Sequence, residues 1–197
     1  EAIIKYTEGV RKLYQAQDAY SGGIASEYQW SRYETSPWAP LKKPLEKCKV
    51  ALISSSGARL RDQMPYNHEV TKLGERVLGD LTFREIPKNA SPNDVIQTHW
   101  RCDFDAHKDI NCCFPIERFR ELEEEGYIGE LAPVFYSFYG GTFLRTGMIE
   151  QIGPELVQRL RKVLVDVLFL VPICPLCHQN VGLLARMVEE ASIPTIC

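Results

Sequence analysis

The chain has 197 residues, 45% of them hydrophobic and 25% charged, which is enough apolar material for one substantial core but offers no run of roughly 18 apolar residues to span a bilayer. A net charge of −3 with dispersed lysines and arginines excludes a nucleic-acid footprint. Seven cysteines, an odd number without framework spacing, exclude a disulfide-stapled secreted domain and point to thiol chemistry in a reducing, cytoplasmic setting.

Residues 1–46 read as an N-terminal arm, helical in short stretches and otherwise irregular. Its first residues carry early acids and no signal-peptide pattern. Ile3, Ile4, Val10, Leu13 and Tyr14 fit a helical turn or two, and Gly22-Gly23, Pro37, Pro40 and Pro44 break the periodicity. The aromatics Tyr20, Tyr28, Trp30, Tyr33 and Trp38 suit either a coat over the domain's own core or a wrap around a neighbouring subunit.

Residues 47–197 read as an α/β domain built on an open, mostly parallel, doubly wound sheet of the flavodoxin or Rossmann type. Residues 49–53 predict its first strand. The small-residue stretch Ser54-Ser55-Ser56-Gly57 closes that strand as a plain turn or as an anion cradle. With neither GxGxxG nor GxxxxGK present, a nucleotide is not expected. Residues 81–87 predict a second strand ended by proline, and residues 95–100 a third. After it, titratable and thiol groups crowd together. His99 and Asp103 are placed to orient one another, Cys113 adds a thiol, and Asp109 and Asn111 are substrate anchors or turn-makers.

Pro115 and Gly126 bracket a charged helix, and Tyr136 to Gly141 form a glycine-rich loop after a further strand. Gly153-Pro154-Glu155 opens a helix to about Lys162. The apolar run 163–171, interrupted only by Asp166, predicts a buried strand. Cys174-Pro175-Leu176-Cys177-His178 follows, then helical spacing from Asn180 to Glu190, and 193–196 begins the next parallel strand. The C-x-x-C thus lies between the carboxyl end of a strand and the amino end of a helix. Open α/β sheets bind ligands there, and unpaired N–H groups favour a thiolate there.

Four chemistries fit C-x-x-C-H: a reactive dithiol, a c-type haem attachment, half of a zinc or iron–sulfur site, and two packed thiols. Haem attachment requires export, and a zinc or cluster site wants a second spaced pair where Cys112-Cys113 are adjacent. The dithiol reading, with one cysteine as nucleophile and the other resolving it, is the one carried forward. No metal is expected. The expected catalytic set is Cys174, Cys177, His178, His99, Asp103 and Cys113; Ser55, Ser56, Arg84, Asp109, Asn111 and Tyr139 are expected to line the substrate.

Taken in order, these pieces resemble the selenoprotein B family of glycine, sarcosine, betaine and D-proline reductases, with the D-proline branch the nearest. The resemblance rests on Phe83-Arg84-Glu85-Ile86-Pro87, Asp109-Ile110-Asn111-x-x-Phe114-Pro115, Tyr127-Ile128-Gly129 and Ser137-Phe138-x-Gly140. It is strongest over Pro172-x-Cys174-Pro175-x-Cys177-His178-Gln179-x-Val181-Gly182 and Glu189-x-x-x-Ile193-Pro194-Thr195. It implies a selenocysteine nucleophile at one position of the C-x-x-C, working with a pyruvoyl-bearing partner subunit in reductive C–N cleavage.

Here sulfur stands at both positions. An ordinary cysteine titrates near ~8.5, so the site must lower its pKa locally, through the helix amino terminus or through His178. The expected function is a thiol-dependent enzyme that cleaves a C–N or C–S bond of a small amino-acid-derived substrate. It needs no bound cofactor; an external thiol or thioredoxin-type reductant restores the dithiol. The alternatives are a desulfurase or desulfhydrase acting on a thione-type heterocycle, and a non-catalytic subunit of a reductase complex. Expected partners are the small substrate, a redox partner, and either a second copy or the other subunits of a reductase complex.

Overall fold

The computed structural model describes residues 31–67, 79–99, 105–142 and 144–197. The chain divides into two compact units, Glu1–Glu34 and Thr35–Cys197, and the described strands and helices all belong to the second. Most of the expected arm, together with Trp100 and Asp103, lies outside the described residues.

Strand β1 (Lys49–Ser54) is the centre of the sheet. Val50, Ala51, Leu52 and Ile53 are each at most 3% exposed, as a run buried on both faces must be. Along one edge it pairs in parallel with β7 (Val167–Val171), from Val50 opposite Val167 to Ser54 opposite Val171. Along the other edge it pairs in parallel with β5 (Glu130–Leu131) and then β6 (Val134–Ser137). Between these two, at Ala132-Pro133, the register advances by two residues, where proline has no N–H to give the ladder.

β8 (Thr195–Ile196) adds a parallel strand beside β7, and β3 (Arg84–Pro87) closes the opposite edge antiparallel to β6. The order is β3-β6-β1-β7-β8, with β5 also on β1. The protein is therefore mixed α/β with a mostly parallel sheet.

Alternation along β1 sends side chains into two cores. Val50 and Leu52 pack with Ile116 and Phe119 of α1 (Ile116–Glu124). Ala51 and Ile53 pack with Leu156 and Leu160 of α2 (Gly153–Lys162), and with Val181, Leu184 and Val188 of α3 (Pro175–Glu190). Helical backbone precedes α2 as a turn at Arg145–Gly147 and a wider π turn at Met148–Ile152. Met148 and Ile152 are fully buried, so this lead-in is held by the same core. Among the described residues, no helix is long and apolar enough to cross a membrane.

Two expected strands change. The stretch 81–87 keeps only β3, because Asp80 draws the backbone N–H and hydroxyl of Thr82 into a turn. Of the third expected strand, the described residues 95–99 do not enter the sheet. Only β4 (Val95–Ile96) is extended, and it pairs antiparallel with β2 (Arg59–Leu60) in a separate ribbon. Beyond it, Thr98 Oγ1 donates to the Gly57 carbonyl and the His99 N–H to the Ser56 carbonyl, which bends the chain back over the end of β1. Tyr136 and Ser137, expected in a loop, finish β6.

Leu52→Ala should cost about 2–5 kcal/mol of stability, since it empties a fully buried position in the central strand. Denaturant titration should show a lower midpoint with an unchanged slope.

Candidate active site

The carboxyl ends of β1, β6 and β7 meet, because these strands run parallel as neighbours. Each continues into a loop, and Ser55 ties the loops together. Its N–H and its hydroxyl both donate to the Val171 carbonyl, and its Oγ accepts from Ile173 N–H at 3.1 Å. Its carbonyl accepts Gly140 N–H at 3.1 Å. Gly57, with φ of +62°, turns the chain out of β1 in the left-handed region where a side chain is strained.

On this frame α3 begins at Cys174, its N-cap, followed by proline. The Cys174 sulfur accepts the backbone N–H of Cys177 at 3.3 Å, taking the place of the hydroxyl or carboxylate usually found there. The two sulfurs are 3.0 Å apart. His99 Nε2 approaches Cys177 Sγ to 3.3 Å, and all three donor atoms lie within 4.8 Å of one another. Cys177 and His99 are fully buried; Cys174 is 7% exposed.

This arrangement separates the two thiols in charge. The S–H of Cys177, donated to Cys174, holds the Cys174 thiol well below the ordinary thiol range; His99 and the Cys177 backbone N–H add to the lowering, and burial opposes it. Burial first, and then the bond to and negative charge of Cys174, push the Cys177 thiol well up. The arrangement thus favours the negative charge on Cys174 and the proton on Cys177.

His99 was placed in the expected set by the polar crowd around it, and it is the histidine that touches the dithiol. Its ring stacks on Tyr139, with centroids 5.2 Å apart and planes at 30°, so Tyr139 sits within the site. His178 is exposed, and its Nδ1–H donates to the Cys174 carbonyl at 2.8 Å, a helix-start contact rather than a sulfur contact.

Cys113 lies in the α1 core, where its thiol faces the Ile110 carbonyl at 3.6 Å. Its own carbonyl accepts the Ser54 hydroxyl at 2.6 Å. Ser56 is fully buried beside Ser54, with the hydroxyls 2.9 Å apart. Asp109 caps the short turn at 110–112 through Asn111 N–H, and Asn111 Oδ1 accepts Glu117 N–H at the start of α1. Arg84 stacks on Tyr66 and donates to the Met64 and Pro65 carbonyls, so it fastens the 64–66 loop.

The reading from sequence missed Asn180. It lies one helical turn beyond Cys177, fully buried, and its Nδ2 donates to the carbonyls of Gly140 and Thr142 at 2.8 and 2.9 Å. An amide inside the apolar run of α3 was the available signal. Asn180 presses the glycine loop onto Cys177. A Cβ on Gly140 would stand 2.5 Å from Ser55 Cβ and 2.8 Å from Cys177 Sγ. Gly140→Ala should therefore displace the Cys177 sulfur, cost about 1–3 kcal/mol and slow disulfide formation between Cys174 and Cys177. Following air oxidation by peptide mapping checks this.

Residues 20–172 match the glycine/sarcosine/betaine reductase selenoprotein B family, a stretch that begins within the first 46 residues and ends just before Cys174. The D-proline reductase subunit gamma of Acetoanaerobium sticklandii is 36% identical over 175 residues, covering 88% of this chain and 69% of that protein. The sarcosine reductase complex component B subunit beta of Peptoclostridium acidaminophilum is 28% identical over 172 residues. The glycine reductase complex component B subunit gamma of Symbiobacterium thermophilum is 26% identical over 174 residues. Each of those two alignments covers 87% of this chain, which spans 38% and 39% of their respective lengths. No solved structure matches significantly. With most of its length matched, the chain belongs to the glycine/sarcosine/betaine reductase selenoprotein B family.

Proposed function

We propose that the chain is the thiol-bearing subunit of an amino-acid reductase complex of the D-proline type, in which Cys174 is the nucleophile, Cys177 resolves it and His99 carries the proton. The observation that carries this reading is the contact series from Cys174 Sγ through Cys177 Sγ to His99 Nε2, at 3.0 and 3.3 Å. The relatives' names, all of reductase subunits, support a reductase and lend none to a desulfhydrase.

The thiolate of Cys174 attacks the substrate carbon next to its carboxylate. A C–S bond forms, the C–N bond of the protonated amine breaks, and the nitrogen leaves with the electron pair as a neutral amine. Cys174, now a thioether, is no longer a strong acceptor, so the Cys177 S–H turns to His99 Nε2 and gives up its proton. The Cys177 thiolate attacks the Cys174 sulfur and forms the disulfide. The carbon leaves with the pair, delocalised into the neighbouring carboxylate, and takes the proton back from His99. One C–N bond is reduced to C–H and two thiols are oxidised to a disulfide. An external dithiol of the thioredoxin class then reduces the disulfide. The relatives' membership of multi-subunit complexes supports partner subunits that present the amine.

Alkylation of the reduced protein as a function of pH tests the nucleophile. Its rate at Cys174 should stay nearly flat from about pH 8 to about pH 5, where a thiol of pKa ~8.5 slows about tenfold per unit. The profile is the readout, because burial lowers the absolute rate. A Cys174 profile falling in parallel with that of exposed Cys112 would sink the assignment.

The two serine variants separate the roles. With partner subunits and a proline-type amine, Cys177→Ser should lose turnover and accumulate a substrate adduct on Cys174, visible as an intact-mass shift. Cys174→Ser should lose turnover without any adduct. An adduct on Cys177 in the latter variant would reverse the roles.

A further inference from the structure

The same three side chains also make a ligand set for a cation. We propose that the reduced site binds one thiophilic divalent cation of the zinc(II) type through Cys174 Sγ, Cys177 Sγ and His99 Nε2. The three donor atoms lie within 4.8 Å of one another on buried residues, and they are the one such group of His, Cys, Asp and Glu among the described residues.

Tetrahedral zinc, with Zn–S near 2.3 Å and Zn–N near 2.0 Å, sets its sulfurs about 3.8 Å apart and each sulfur about 3.6 Å from the nitrogen. The corresponding separations here are 3.0 Å between the sulfurs, 3.3 Å from Cys177 Sγ to Nε2 and at most 4.8 Å from Cys174 Sγ to Nε2. Accommodating the ion requires the sulfurs to part by less than about 1 Å. Cys177 is hemmed in by the Gly140 backbone and the Ser55 carbonyl, so the movement falls to Cys174, which has the solvent edge.

Donor chemistry selects the metal. Two thiolates and an imidazole suit zinc and its soft neighbours, and give magnesium or calcium no oxygen to bind. Two negative sulfurs and a neutral ring cancel a divalent charge, so the filled site buries no net charge. Tyr139, stacked on His99, fixes the plane of the imidazole as outer-shell partners of metal ligands do. Three protein ligands leave a fourth position for water or substrate on the Cys174 side. A Cys174–Cys177 disulfide removes two ligands, so the cation binds the reduced form alone.

The test is a competition titration of the reduced, full-length chain with zinc(II) against a chromogenic chelator, without oxygen. One zinc per chain is expected, and cobalt(II) in its place should show thiolate-to-metal charge-transfer absorption. Zinc should also suppress alkylation of Cys174 and Cys177, a consequence that rests on the dithiol reading as the binding itself does not. Cys174→Ser keeps a good helix cap, so it tests the ligand without unfolding α3. It should weaken binding by more than the roughly 10-fold to 100-fold that loss of an outer-shell partner costs. A double Cys112→Ser, Cys197→Ser variant should bind as the parent does. Absence of stoichiometric zinc, or binding that survives Cys174→Ser, overturns the proposal. The pH profile of Cys174 alkylation in metal-free protein reports on the dithiol separately, so either reading can fail alone.

Discussion

The burial of the Cys177 sulfur is the constraint on which the rest of the site depends. It lies where three parallel strands end, with a glycine backbone on one side, a carbonyl on another and an imidazole on a third. A negative charge there would lose its water, so Cys177 stays protonated and offers its hydrogen. The charge settles on Cys174, which meets an orphan N–H at the start of α3 and keeps an edge toward solvent. One turn of helix is therefore enough to make two identical side chains chemically unequal. The spacing of two residues between them achieves this, because the cap position and the position three residues on share a face while differing in depth.

The small residues around the dithiol serve that burial. Ser54 and Ser55 use their hydroxyls to brace neighbouring chains, the one to the segment before α1 and the other to the end of β7. Bulkier residues would hold the strand ends apart, and alanines would leave the carbonyls of Cys113 and Val171 with fewer donors. Each hydroxyl is satisfied within the fold, so none has to be desolvated again when a substrate arrives. Asn180 is different: its Nδ2 makes two bonds, and its Oδ1 has no partner among the described residues. The cost of that buried acceptor is accepted where the glycine loop must be clamped against a sulfur.

The parts of the fold that sequence revealed are those specified locally. Apolar runs marked β1 and β7, and apolar spacing marked α1 and α3, with proline and glycine bracketing α1. The ribbon of β2 and β4 was not legible. Its two-residue strands exist only because Arg59-Leu60 finds Val95-Ile96 across 34 intervening positions. Which of the two expected histidines meets the dithiol was not legible for a related reason. His178 is adjacent to Cys177 in sequence, yet successive helical residues point about 100° apart, and its ring turns back to a carbonyl. His99 reaches the sulfur from 78 residues away, delivered by a bend that no local pattern announces. Asp109 and Asn111 illustrate the reverse case. Residue types rich in chemistry are here spent on capping, the use that their short polar side chains suit equally well.

The family to which the chain belongs takes its name from selenium, and sulfur at both positions changes what the protein must supply. A selenol ionises at neutral pH without assistance; a thiol needs a donor, a helix terminus and a nearby ring to reach the same state. The site provides all three around Cys174. Concentrating electron pairs on two sulfurs and a nitrogen has a consequence that follows from the same arrangement. A group poised to attack carbon is equally poised to bind a soft cation, since both events use the same lone pairs. What separates the two fates is a distance. Sulfurs at 3.0 Å are close enough for one to resolve the other, and shorter than a metal would choose. Holding Cys177 against Gly140 while leaving Cys174 its solvent edge allows both: approach for disulfide formation, and a small parting for a cation.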